Sequence, residues 1–316
     1  MKEKITIIEP MRDKRNERVV AAIDIGSNAA RILIKGVTKE GNELKFKKLQ
    51  FLRIPVRLGM DVFKDGKIGL QREAVLLRTM KIFRQLLILY NVDSYRICAT
   101  SAFREAKNGK KVLSMIRKET KLNIDVITGM EEARILRDNN YAMMGNLLYV
   151  DVGGGSTELS FVREGELIES RSFDIGTLRM LNNTVNPDLW QQMADTVNEI
   201  TQGVDNVQII GTGGNINKLY RLAPKQERKN NMLKVSLLGN LFKKMSTMSV
   251  EERMLRYNLR ESRADVIVPA AQIFLMIAEI TGAEDIVVPT EGLADGIIKE
   301  LASVRFSCAL PLSAQH

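Results

Sequence analysis

Hydrophobic positions along this chain form a strand-rich run followed by helices, and the order then begins again. Residues 19–25 are a continuous apolar run closed by Gly26-Ser27-Asn28, the pattern of a buried strand ending in a tight turn. Residues 31–37 predict the returning strand of a hairpin and residues 44–56 a third strand. Val75, Leu76, Met80, Phe83, Leu86 and Leu87 have helical spacing, which predicts a helix over 70–92. A short strand follows at 95–100, a helix at 110–120, a strand at 124–127, and a helix from about Met130.

The second half repeats this order. Residues 146–152 form an apolar strand closed by Gly153-Gly154-Gly155, with 156–162 returning and 167–173 as a third strand. Helices are predicted near Leu178 and over 189–200, then a strand at 207–210 that runs into Gly211-Thr212-Gly213-Gly214. The remainder reads as mostly helical to about Ala283, with a strand at 285–288 and a last helix at 293–304.

The repeat extends to individual residues. Asp24-Ile25-Gly26-Ser27-Asn28 lines up with Asp151-Val152-Gly153-Gly154-Gly155: strand, aspartate, aliphatic, glycine, tight polar turn. Each half later has a strand feeding a helix through small residues, Ala99-Thr100-Ser101-Ala102 and Gly211-Thr212-Gly213-Gly214. This predicts a pseudo-twofold α/β molecule with both turns facing one cleft. Glycines at positive φ would aim backbone N–H groups at phosphate oxygens, and Ser and Thr would add donors. An aspartate before each turn, Asp24 and Asp151, is placed to bind a hydrated Mg²⁺. A pair of ordinary hairpin turns is the plain alternative.

Charge and composition narrow the chemistry. The net charge of +9 over 316 residues favours anionic partners without choosing among them. The positive residues are spread along the chain, which speaks against a dedicated nucleic-acid arm. Cys98 and Cys308 have no metal-type spacing, which fits a reducing, cytoplasmic setting. His316 is the sole histidine and the last residue, so histidine-based catalysis is not expected and carboxylates must carry acid–base work. No targeting segment is visible. The longest apolar stretch, 266–280, contains Pro269, Gln272 and Glu279, reads as too short to span a bilayer, and is expected to be a buried helix. A P-loop is absent, since Gly211 and Lys218 have the wrong spacing. Cys98 and Arg104 have the Cys-x5-Arg spacing of a thiolate phosphatase loop, but no glycine lies between them and Cys98 reads as a core residue.

Several ordered motifs carry a resemblance: Asp24-Ile25-Gly26-Ser27-Asn28; 99–109, with Arg104; Thr128-Gly129-Met130-Glu131-Glu132; 151–159, with Glu158; Gly176-Thr177-Leu178-Arg179; Gly211-Thr212-Gly213-Gly214; and Arg263-Ala264-Asp265. On these the chain resembles the exopolyphosphatase / guanosine pentaphosphate phosphatase (Ppx/GppA) family in its short form, within the actin, Hsp70 and sugar-kinase superfold. The resemblance implies two ribonuclease-H-like domains around a cleft, one of residues 1–129 plus 297–316 and one of 130–296. It implies Mg²⁺-dependent release of terminal phosphate from polyphosphate or guanosine pentaphosphate. Glu132 aligns with the catalytic base and Glu158 with a second catalytic acid. Asp24, Asp151 and Glu158 are the implied metal ligands. Gly26, Ser27, Asn28, Arg31, Arg104, Gly153, Gly154, Gly155, Ser156, Thr157, Gly211, Thr212 and Gly213 are the implied phosphate contacts. It also suggests a homodimer. The family's Gly-Leu-Arg-Glu-Gly pattern is replaced by Gly292-Leu293-Ala294-Asp295-Gly296, which removes an arginine. A kinase or ATPase of the same superfold and a non-catalytic sensor of polyphosphate or nucleotide remain open alternatives.

Overall fold

The computed structural model describes residues 17–41, 43–138, 145–228, 230–289 and 291–307. The first half contains strands β1 (Glu17–Ile25), β2 (Ala30–Glu40) and β3 (Glu43–Ile54), helices α1 (Gly59–Asp65) and α2 (Leu70–Leu89), strand β4 (Ser94–Ala99), helices α3 (Ser101–Glu105) and α4 (Gly109–Thr120), strand β5 (Asp125–Val126) and helix α5 (Gly129–Asp138). Then follow β6 (Asn146–Val152), β7 (Thr157–Arg163), β8 (Glu166–Phe173), α6 (Thr177–Leu181), α7 (Asp188–Thr201), β9 (Gln208–Thr212), α8 (Gly213–Leu222) and β10 (Met232–Lys234). The chain closes with α9 (Val235–Ser246), α10 (Val250–Tyr257), α11 (Glu261–Ala264), α12 (Ile267–Thr281), β11 (Asp285–Val287) and α13 (Leu293–Ser307).

These strands make two mixed sheets, in the orders β3-β2-β1-β4-β5 and β10-β11-β9-β6-β7-β8. The repeat is therefore structural. β1 pairs antiparallel with β2 and parallel with β4, as β6 does with β7 and β9. The two hairpin turns close with the same bond, from the Gly26 N–H to the Ala29 carbonyl at 3.0 Å and from the Gly153 N–H to the Ser156 carbonyl at 2.9 Å.

Central strands β1 and β6 are buried along most of their length, which is why they read as continuous apolar runs. On one face of the first sheet, Ile23, Ile25, Ile32 and Ile34 pack with Leu76, Met80 and Phe83 of α2 and Val112 and Ile116 of α4. On the other face, Val20, Ala22 and Leu33 meet Ile135 of α5 and Ile297 and Ile298 of α13. The second sheet packs against α12, where Ile267, Ile273, Phe274 and Ile277 are fully buried. The helical stretch Glu261–Thr281 is longer than the sequence suggests, and by length and composition alone it could cross a membrane. Its place in this core agrees with the expected buried helix.

The two halves are also pinned together. Leu178 of α6 is completely buried among residues of the first core, beside Phe63 and Gly59 of α1. Burying such a side chain contributes roughly 1.5–3 kcal/mol. Asn182 adds a bond from its side-chain amide to the Met60 carbonyl at 3.1 Å.

Candidate active site

Both Gly-rich turns lie at the C-terminal ends of central strands, and they touch. A Cβ added to Gly154 would stand 3.0 Å from the Ser27 Cβ, and one added to Gly155 would stand 2.6 Å from the Ser101 hydroxyl and 2.2 Å from the Phe63 ring. The hydroxyls of Ser27 and Ser101 share a hydrogen bond of 2.7 Å. The expectation that these glycines adopt positive φ is not met: Gly26, Gly153, Gly154 and Gly155 all lie outside that region. Gly154 and Gly155 are required because the opposing loop approaches too closely for a side chain, whereas a Cβ on Gly26 or Gly153 would meet only its own hairpin, at 3.4 and 3.1 Å. Gly213 at the start of α8, with φ +89, is the site glycine that does take the left-handed region.

Four carboxylates gather beside these turns. Glu158, on β7, accepts from the Ser156 hydroxyl at 2.5 Å and from Ser172 at 3.3 Å. Glu132 projects from the first turn of α5. Arg104, at the end of α3, donates to the Ile127 carbonyl at 3.0 Å and to Glu132 at 3.3 Å, and its other terminal nitrogen lies 3.6 Å from Glu158. One guanidinium thus bridges the carboxylates that the family resemblance marks as the catalytic pair. Burial, then Glu158 and Asp151, pushes the Glu132 carboxyl well above its ordinary value, with Arg104 opposing. Burial also raises Glu158. Asp151 is pushed up to about 7 by burial and by Glu158. Asp24 is paired with Arg31.

Excess negative charge of this kind suits a hard divalent cation. Among the described residues, no three His, Cys, Asp or Glu side chains form a ready ligand set.

Asn215 was not legible as a site component, and the surroundings of several other residues near the turns became visible only in the fold. Arg179 reads as a surface charge, yet it is buried. Its Nε donates to the Gly155 carbonyl at 2.6 Å, it pairs with Glu105 and with Asp174 at 3.3 Å, and it lies 4.3 Å from the Phe63 ring centroid. Asn215 donates to the Val152 carbonyl at 3.0 Å and accepts from Arg263 at 2.8 Å, tying α8 to β6 and to α11. In this structure the Thr157 and Thr212 hydroxyls donate to the Ile175 and Val150 carbonyls, at 2.7 and 3.4 Å. Asn28 donates to the Ser262 carbonyl at 3.1 Å, while its amide oxygen is buried without a partner. Cys98 is fully buried and its thiol is pushed up to about 12, mainly by burial, so it is no thiolate nucleophile. Ala294 stands where the family arginine is missing, and its neighbour Asp295 pairs with Lys35 at 2.6 Å and accepts from the Gly292 N–H at 3.0 Å. Two shallow hollows beside α7, of about 540 and 560 Å³, are lined by Asp195 and Glu199 and do not suit an anion.

A model of the Ppx/GppA phosphatase family matches residues 37–304. The chain belongs to that family. It is 32% identical over 184 residues to the bifunctional 3-dehydroquinate synthase/phosphatase of Fusobacterium nucleatum, covering 55% of this chain and 27% of that protein. It is 28% identical over 165 residues to exopolyphosphatase 1 of Mycobacterium tuberculosis, covering 51% of this chain and 47% of that protein. The matched region thus spans less than half the length of either relative. The crystal structure of the Aquifex aeolicus Ppx/GppA family member superposes with a TM-score of 0.70 at 25% identity, covering 91% of this chain and 99% of that one. The two sheets and their facing turns are therefore the Ppx/GppA arrangement of the actin-like fold.

Proposed function

We propose that this chain hydrolyses inorganic polyphosphate from its end, releasing orthophosphate with the help of Mg²⁺ in a cytoplasmic setting. The observation that carries this reading is the Arg104 bridge between Glu132 and Glu158, set beside two opposed phosphate-type turns. Glu132, raised in basicity by burial and by its acidic neighbours, accepts the proton of the attacking water. The water oxygen bonds to the terminal phosphorus, the bridging P–O bond breaks, and the bridging oxygen leaves with the shortened chain. Arg104 offsets the carboxylate charge and keeps Glu132 aimed. Ser27, Asn28, Arg31 and the 153–157 turn hold phosphate oxygens in line. Bound Mg²⁺, held by Asp151 with Glu158 or Asp24, would neutralise charge on the transferring group.

The test is phosphate release from polyphosphate, guanosine pentaphosphate and ATP, each with Mg²⁺ and with a chelator. Mg²⁺-dependent release from polyphosphate is expected. Release from ATP alone would replace the reading with an ATPase, and release from guanosine pentaphosphate alone would move the substrate to that nucleotide. Sedimentation of the full chain tests the homodimer that the resemblance implies.

A further inference from the structure

Arg53 stands directly opposite Arg31 in the β2–β3 pairing. Like charges facing each other across neighbouring strands are destabilising. Arg31 is offset by Asp24. Arg53 makes no ion pair among the described residues. Its Nη1 reaches only the Ser262 hydroxyl, at 3.5 Å, while its Nε and Nη2 are buried with no hydrogen-bond partner. The acid beside it, Asp265, is held by Arg57 at 2.5 Å.

Arg263 adds to the imbalance. It is half-buried, and Asn215 is its hydrogen-bond partner. A Cβ on Gly214 would meet its Nη2 at 2.5 Å and the Arg31 Nη2 at 3.2 Å, so both guanidinium groups crowd the first turn of α8. Burial, then Arg31 and Arg260, lower the Arg53 guanidinium to about 10. Arg263 is lowered by burial and then by Arg53, Arg31 and Arg221. Lys218 lies within electrostatic reach of Arg221 and Arg263. The cations therefore run in series: Arg104 at the paired glutamates, Arg31 at Asp24, then Arg53 with Arg263, then Lys218 and Arg221 along α8. Beyond Arg31 the acid that acts on Arg53 and Arg263 is Asp265, which is already paired with Arg57.

We infer that Arg53 is a binding residue for the trailing part of a condensed phosphate chain. With Arg263 and the N–H groups that open α8, it takes the phosphates that follow the one being attacked, and Lys218 and Arg221 continue the track. A condensed phosphate presents acceptor oxygens at every unit, which suits a row of guanidinium forks better than a single anion does. This inference rests on the polyphosphate reading above.

The experiment compares the parent chain with Arg53→Gln and Arg53→Lys. Phosphate release is measured on long-chain polyphosphate and on tripolyphosphate, binding of both is measured by calorimetry, and unliganded melting is recorded. Arg53→Gln is expected to raise KM and Kd for the long chain roughly tenfold or more, since a charge-assisted bond is lost, with kcat within about twofold. Tripolyphosphate should be affected less, and Arg53→Lys should recover part of the loss. Unliganded melting should hold or rise, because a like-charge contact is removed. An unchanged KM and Kd overturns the inference. So does a fall in unliganded stability with kcat falling in step, which marks Arg53 as structural. If the parent binds polyphosphate through Arg53 but releases no phosphate, the hydrolase reading fails while the binding site stands.

Discussion

Glu131 and Glu132, adjacent in the first turn of α5, engage different arginines. Glu131 is bonded to Arg96 at 2.7 Å, in a network that also takes in Glu300 and Asp125, whereas Glu132 meets Arg104 at 3.3 Å beside Glu158. Neighbours on a helix diverge by about 100°, so a single phosphorus cannot be served by both. Glu132→Gln should cut kcat by about 10² to 10⁴ while polyphosphate binding is kept. Glu131→Gln should stay within a few-fold of the parent. Steady-state phosphate release and calorimetry check the pair; a dead Glu131→Gln with an active Glu132→Gln would sink the assignment.

Gly213 couples backbone conformation to Asp151, the carboxylate proposed to hold Mg²⁺. Its φ is +89, and a Cβ there would lie 2.2 Å from the Asp151 Oδ1. Gly213→Ala should therefore displace Asp151, lower activity, and cost about 1–3 kcal/mol of stability. Gly239, inside α9, has its nearest neighbour at 4.0 Å. Gly239→Ala should be neutral or stabilising by about 0.5–1 kcal/mol. Urea unfolding of the two variants reads the contrast, and equal effects would refute the steric account.

Arg179 joins the 153–157 turn to α3 through Gly155 and Glu105. Arg179→Ala leaves the Gly155 carbonyl without this donor and Glu105 without its cation. A loss of about 2–4 kcal/mol is expected, discounted from the full cost of breaking a buried pair because Glu105 is about one-third exposed. Denaturant midpoints provide the measure, and a change below about 0.5 kcal/mol would mean that water replaces the link.

Cys98 supplies a pH test away from the turns. Its thiol is raised from 9.0 to about 12 in the fold. The raised value favours the protonated form, so its contribution to stability is complete below pH 9 and declines as pH climbs toward 12. In a Cys308→Ser background, Cys98 should resist thiol alkylation at pH 8 and react fully in denaturant. Fast labelling of the native chain would contradict the burial.

The hairpins were legible because apolar runs ending in glycine demand a turn at those places. α1 was not, since its buried face is only Gly59, Val62 and Phe63, too few residues to show a period. β10, three residues long, gains its identity only by pairing with β11. Within the site, Glu132 and Arg104 came from the family resemblance and not from patterning. The burial of Arg179 was hidden because a charged residue reads as solvent-facing until the fold supplies its partners. At Gly154 and Gly155 the need for glycine is close approach of the opposing loop and not the backbone handedness that the sequence suggests.

α13 closes the face of the first sheet on which Val20, Ala22 and Leu33 lie, and it comes from the opposite end of the chain. A ribosome adding ~5–20 residues per second needs on the order of ten seconds or more to travel from Leu33 to Leu293. Throughout that interval α5 alone can cover the apolar face of the earliest-made strands. The first half of the fold is thus completed only when α13 has left the ribosome, although its strands are made first.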